Sequence, residues 1–262
     1  MRTLKRWFRR WKTFRAAQPQ LATYRPEVER VFGGPVMWKQ TGGCGRDVVC
    51  LVMREELPVG VLRVTVSSNL PVGLAKRRNL PFVPLDPEAK IAREWQAYAT
   101  GFPFGLTPQP LWRSNHALLC AYVDGEPFKR EADAGRTSHL ALATEALSHI
   151  ARLHQSGLTH MDMSLSNILR ERSGNCRSVD FEYGPAEGLT PEQQRLYDYL
   201  RLLESCWKYI AAGERKTVSA TWGKTFRAHA PEAVRSADIA PLRPALERIL
   251  AAPELKTFFN AL

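Results

Sequence analysis

Between residues 153 and 184 the chain reads LHQSGLTHMDMSLSNILRERSGNCRSVDFEYG. His160-x-Asp162 comes first, Asn167 follows five residues after that aspartate, and Asp180-Phe181-Glu182 begins thirteen residues further on. A carboxylate can orient a hydroxyl and take its proton, while a second carboxylate and an amide supply oxygen ligands for a cation. Phosphoryl transfer from ATP needs both sets of groups: one at the accepting hydroxyl, one on the Mg2+ held by the phosphates. Two short apolar runs flank RERSGNCRS and read as a hairpin, which brings Asp180 back towards the loop carrying Asp162 and Asn167. Taken singly, each residue would read as a surface acid, a turn amide or a satisfied histidine. It is the ordered spacing that points to chemistry.

These groups need elements to hold them. From Val36 to Ser67 the chain reads as strands and turns: PVMWKQ, the loop TGGCGRD (Thr41–Asp47), VVCLVM, a Pro/Gly turn, and VGVLRVTV. Gly42, Gly43 and Gly45 make that loop either an ordinary hairpin turn or a cover of backbone N–H groups over phosphates. Leu70 to Pro84 reads as loop, and a helix then starts with Asp86 as N-cap and Pro87 at its first position. TPQPLW and HALLCAYV read as two further strands ending at the turn DGEP. Beyond about residue 130 the pattern is helical. Leu140, Ala143, Leu147, Ile150, Ala151 and His154 keep helical spacing behind Ser138, as do Leu196, Tyr199, Leu200, Leu203, Trp207 and Ile210 behind Thr190-Pro191. Pro231, Pro241, Pro244 and Pro253 punctuate a C-terminal run of short helices. The expected fold class is α+β: an N-terminal helix over 1–20, a small mainly antiparallel β lobe over 21–123, and a larger helical lobe over 124–262.

Leu153-His154, Gly157, His160-x-Asp162, Asn167-Ile168-Leu169 and Asp180-Phe181 together resemble the protein-kinase-like superfamily. The likeness is strongest to its bacterial small-molecule branch, which includes aminoglycoside and choline phosphotransferases and kinases of lipopolysaccharide-core sugars. It covers roughly residues 36 to 210 and implies a bilobal fold with ATP and Mg2+ as cofactors. It makes Asp162 the catalytic aspartate, Asn167 and Asp180 the metal ligands, His160 a buttress of the loop and Phe181 core packing. In the first lobe it makes Gly42, Gly43 and Gly45 the nucleotide loop and Glu94 the partner of a phosphate-binding cation. Backbone groups over Ala121–Val123 would meet adenine.

The departures are informative. Arg63 stands in the third strand where kinases place lysine, and its planar fork is not equivalent to an ammonium; Lys76 and Lys39 are the other basic candidates. Ser164 occupies the position two after the catalytic aspartate, where protein kinases carry lysine, Glu182 replaces the glycine after Asp-Phe, and PAEGLTPEQ follows in place of an A-P-E segment. A peptide-directed protein kinase is therefore disfavoured. A non-catalytic, regulatory kinase-like protein has Arg63 in its favour and the intact Asp162, Asn167 and Asp180 against it.

Composition narrows the setting. With 44% hydrophobic and 24% charged residues the chain is neither disordered nor fibrous, and no run of 18 apolar residues is present to span a bilayer. Five cysteines without a C-x-x-C pair favour a reducing compartment, hence a cytoplasmic location. Of the net +11, residues 1–15 supply seven basic residues and no acid, leaving 30 basic and 26 acidic residues, or +4, for the remaining 247. Basicity is thus a property of the tail, and no specific nucleic-acid partner is expected. At about 100° per residue, Leu4, Trp7, Phe8, Trp11 and Phe14 fall in an arc of roughly 120° with most of the charges opposite. Such a face suits an anionic membrane surface or a groove on the protein itself, and the absence of an apolar stretch argues against a signal peptide. The expected acceptor is a small molecule or glycolipid, best a lipopolysaccharide-core sugar met at the cytoplasmic face of the inner membrane.

Overall fold

Val48, Cys50 and Val52 are buried while Val49 and Leu51 between them are half-buried, and this period of two makes Asp47–Arg54 a strand with one covered face. The computed structural model describes residues 2–42, 47–66 and 79–259. In chain order the first half runs α1 (Arg2–Phe32), β1 (Met37–Gly42), β2 (Asp47–Arg54), β3 (Leu57–Thr65), β4 (Phe82–Pro84), α2 (Pro87–Gly101), β5 (Pro110–Arg113) and β6 (Ala117–Ala121). The second runs β7 (Gly125–Pro127), α3 (Phe128–Asp133), α4 (His139–Gln155), β8 (Ile168–Glu171), β9 (Cys176–Ser178), β10 (Tyr183–Pro185), α5 (Pro191–Trp207) and α6 (Arg215–His229), followed by shorter helices. Contacts divide the chain into two units. One takes Met1–Lys76, Leu85–Phe102 and Pro108–Val123; the other takes Arg77–Pro84, Pro103–Thr107 and Asp124–Leu262.

The first unit is a five-stranded antiparallel sheet in the order β1-β2-β3-β6-β5. Val48, Cys50, Val52, Leu62, Val64, Ala117 and Leu119 form one apolar face, and Ala17, Leu21 and Val28 of α1 pack against it. Burying Leu21 and Val28 stabilises this contact by roughly 1.5–3 kcal/mol each. Gly60 marks the closest approach, since a Cβ there would lie 2.8 Å from the Phe32 ring and 3.0 Å from the Cys120 carbonyl oxygen. The helix expected over residues 1–20 therefore continues to Phe32, through Pro19 and Pro26. Its docked face is Thr13, Ala17, Leu21 and Val28, while Trp11 of the aromatic arc remains 41% exposed. Burial pushes the thiols of Cys50 and Cys120 up to about 12, as inert core residues.

The second unit is mainly helical. The Ser138 hydroxyl accepts from the Ala141 N–H at 3.1 Å and starts α4. Thr190 and Gln193 form a reciprocal capping box that starts α5, with Pro191 at its first position. Leu142, Leu147, Ile150, Leu196, Tyr199, Leu200, Leu203, Trp222 and Phe226 are fully buried between these helices and α6. The expected hairpin exists as β8 and β9, and β7 extends it to three strands. There Gly125 passes so close to β8 that a Cβ would overlap the Arg170 carbonyl at 2.3 Å. Two segments depart from the sequence reading. Phe82–Pro84, expected as loop, pairs with β10, and Gly125–Pro127, expected as turn, pairs with β8.

Candidate active site

In the helical unit the loop from His160 to Asn167 is held from behind by one side chain. Asp198, fully buried on α5, accepts the N–H of His160 and the N–H of Met161, each at 2.8 Å, and His154 Nε2–H at 3.1 Å. These bonds fix Met161 in the left-handed region at φ +65°, unusual for a residue with a side chain. His160 is likewise structural. Its Nε2–H donates to the Val179 carbonyl at 2.9 Å, its Nδ1 accepts the Asp162 N–H at 3.3 Å, and its ring lies 4.4 Å from buried Phe181. One imidazole thus ties the loop to the strand end that presents Asp180.

Asp162 projects from this frame. Its Oδ1 accepts the Nε–H of Arg201 on α5 at 3.1 Å and lies 2.8 Å from Nη2 of the same guanidinium, and its side chain keeps 28% exposure. Burial raises the Asp162 carboxyl above the ordinary carboxylate range; Arg201 and His160 oppose the rise, and the nearby Asp180 charge adds to it. Asn167 Nδ2 donates to the Asp162 carbonyl at 2.9 Å, which turns Oδ1 of the amide away from the loop. Asp180 sits at φ +73° and is anchored on both sides, by Val179 N–H to the Asn167 carbonyl at 3.0 Å and by buried Phe181. The structure therefore brings His160, Asp162, Asn167 and Asp180 together. Among the described residues no cluster of three or more His, Cys, Asp or Glu forms a closed metal cage. Asn167 Oδ1 and the Asp180 carboxylate are two hard oxygen donors, a set that fits Mg2+, which takes most of its remaining ligands from phosphates and water.

The sheet unit holds the other candidates. Arg63 on β3 meets Glu94 on α2, Nε to Oε2 at 3.3 Å, and Asp47 on β2, Nη1 to Oδ2 at 3.5 Å. The pairing expected from the sequence is present. Asp86 caps α2 through a 2.8 Å bond from the Ala89 N–H and so aims Glu94, 1% exposed, at the sheet. Tyr98 donates to Glu94 Oε1 at 2.7 Å, and burial, with the Glu94 charge, holds that phenol well above its usual value. A residue absent from the sequence reading completes the group: Lys90, fully buried, binds both carboxylate oxygens of Asp47. Lys39 is exposed on edge strand β1, with β2 between it and β3, so it is not part of this group. Lys76 lies outside the described residues, as do Gly43 and Gly45; Gly42 closes β1 opposite Val49. Over Ala121–Val123, the Ala121 and Tyr122 N–H groups are taken up by the Gln109 and Val59 carbonyls, at 2.9 and 3.2 Å.

Sequence reasoning missed Asp198, Arg201 and Lys90. Asp198 and Arg201 stand on the face of α5 opposite Leu196, Tyr199, Leu200 and Leu203, where charges read as solvent-facing; for Lys90 the signal was a lysine one turn before Glu94 on the same face.

No known family's sequence profile matches the chain, and no curated protein matches it. Solved structures do. One is the Rio2 kinase–ADP/Mg2+–phosphoaspartate complex from Chaetomium thermophilum, with a TM-score of 0.50 over 93% of this chain and 74% of that one. The chain has a protein-kinase-like fold. At 17% identity the fold is what the two proteins share. A protein-kinase-like fold accounts for the five-stranded sheet with α2 packed on it, followed by a helical unit carrying a short hairpin; α1 is a further helix on the same sheet.

Proposed function

We propose that the protein is an ATP- and Mg2+-dependent phosphotransferase acting on a hydroxyl of a small molecule or glycan. The observation that carries this reading is the convergence of Asp162, Asn167 and Asp180 on one loop frame built by Asp198 and His160. Asn167 and Asp180 would hold Mg2+, which when bound neutralises charge on the phosphates. Asp162 orients the acceptor hydroxyl with the oxygen that Arg201 does not occupy. In the transfer the acceptor oxygen bonds to the γ-phosphorus and the bond from that phosphorus to the β–γ bridging oxygen breaks. ADP leaves, and the hydroxyl proton passes to Asp162 and on to solvent. Arg63 takes the phosphate-holding role: a five-donor fork can keep Glu94 and meet phosphate oxygens as well.

The acceptor is best read as a membrane-borne sugar, a lipopolysaccharide-core sugar being the leading candidate. The basic tail supports this. The sheet takes the Thr13–Ala17–Leu21–Val28 face of α1, whereas Trp11 stands about 120° around the helix from Ala17 at 100° per residue. An exposed aromatic beside Arg and Lys suits an anionic interface. No described helix is long and apolar enough to cross a membrane.

One observation favours a second, non-catalytic reading: the two cations Arg63 and Lys90 already face the two carboxylates Asp47 and Glu94. Calorimetric titration with ATP, with and without Mg2+, separates the two. Mg2+-dependent binding together with transfer of labelled phosphate to a hydroxyl supports the enzyme; binding without transfer to any acceptor pool supports the regulator.

A further inference from the structure

Within the helical unit, beside the catalytic loop, lies a cavity of about 600 Å3, in the size range of small-molecule sites. Ser164 and Ser166 of the loop line one side, and Arg201, Lys129, Lys208 and Arg248 bring four cations to it. Arg201 is shared between this cavity and Asp162, so a ligand seated here lies next to the carboxylate that takes the hydroxyl proton.

Three of these cations already have a carboxylate, Arg201 in Asp162, Arg248 in Glu204 and Lys129 in Asp133, and Lys208 is the fourth. Only Glu204 and Glu247 add acid to the lining, and Glu204 is already committed to Arg248 at 3.1 Å and to the Ile249 N–H at 2.9 Å. Lys129 pairs outward with exposed Asp133. Lys208 has no carboxylate partner among the described residues; its ammonium lies 4.7 Å from the centre of the Tyr209 ring, which Lys129 also approaches at 4.4 Å. Lys208, which lines the cavity without a carboxylate of its own among the described residues, is the charge that an anion there would meet. The hydroxyls of Ser164, Ser166, Ser205 and Tyr209 add donors and acceptors for polar groups of a ligand.

We propose that this cavity seats the acceptor and that the acceptor is a hydroxyl compound that also carries an anionic group, a phosphate or a carboxylate. The proposal rests on the phosphotransferase reading above. The anion is held by Lys208 and Lys129 and oriented by Arg248, while Arg201 and Ser164 guide the hydroxyl to Asp162.

The test uses the full chain with labelled ATP and Mg2+. Cell-envelope and soluble extracts are separated on an anion-exchange resin in non-ionic detergent, and each fraction is offered as acceptor. Label is expected in acceptors that the resin retained and salt released. Phosphatase treatment of that fraction beforehand abolishes acceptance where the anion is a phosphate monoester and spares it where it is a carboxylate. Lys208→Ala should raise the KM for that fraction roughly tenfold or more, as loss of a charge-assisted contact does, with the KM for MgATP unmoved. Label entering only unretained, neutral material, or an acceptor KM unchanged in Lys208→Ala, overturns the anionic acceptor while leaving the phosphotransferase standing. No transfer into any fraction overturns both.

Discussion

Replacing Asp198 by asparagine tests whether the catalytic loop is held from α5. The carboxylate accepts three N–H groups in a fully buried position, two from the loop backbone and one from His154. Asparagine keeps one acceptor oxygen and turns an NH2 group towards donors that the second oxygen used to satisfy. Leaving a buried donor without an acceptor costs about 1–3 kcal/mol, and a hydrogen bond to a charged group contributes about 1.5–3 kcal/mol. Met161 then loses support for its left-handed backbone, a conformation that itself costs about 1–3 kcal/mol. A loss of about 3 kcal/mol follows, equivalent to a fall in thermal midpoint of roughly 6–12 °C for a chain of this size. Calorimetry of Asp198→Asn beside wild type reads the midpoint. Asp198→Glu, which keeps the charge but misplaces it, should lie between them. A midpoint within 1 °C of wild type would refute the claim that Asp198 anchors the loop.

Three further outcomes follow from the same geometry. Arg63→Ala leaves Glu94 buried without its cation, on the scale of about 3–5 kcal/mol for a broken buried pair; MgATP affinity should fall with stability, and Arg63→Lys should keep a substantial part of both. Because Arg201 holds the Asp162 carboxyl down against the upward pull of burial, Arg201→Gln should move the acid limb of the pH–kcat profile to higher pH, since the base must be ionised to act; a limb that stays or moves to lower pH sinks the assignment. Deleting residues 2–12 spares Thr13, Ala17, Leu21 and Val28, so the thermal midpoint should hold while salt-sensitive binding to anionic vesicles is lost, at ~1 kcal/mol per surface cation.

Features set by neighbours in sequence were legible and those set by distant partners were not. Asp86-Pro87, Ser138 and Thr190-Pro191 announce their helices because a cap is a local hydrogen bond, and all three caps form. The spacing of His160, Asp162, Asn167 and Asp180 is readable because one loop and one hairpin carry the whole set. Asp198 and Arg201 act on that loop from a helix more than 30 residues downstream, and nothing local to α5 distinguishes their role from that of ordinary surface charges. Strands β4 and β10 have three residues each, too few for an alternation of faces to show. In α1 the large aromatics draw attention to the first fifteen residues, whereas the docked face begins with Thr13 and Ala17, small side chains that give a weak hydrophobic signal. Pro19 and Pro26, which normally interrupt a helix, hide its continuation to Phe32.

The most direct test of the central claim is transfer of the γ-phosphoryl group by wild type, Asp162→Ala and Asp180→Ala, with MgATP binding measured on the same preparations. The account predicts that Asp162→Ala binds MgATP nearly as wild type and transfers nothing to acceptor, because that carboxylate serves the hydroxyl. It predicts that Asp180→Ala loses the Mg2+-dependent part of nucleotide binding. Transfer by either variant at the wild-type rate would contradict it.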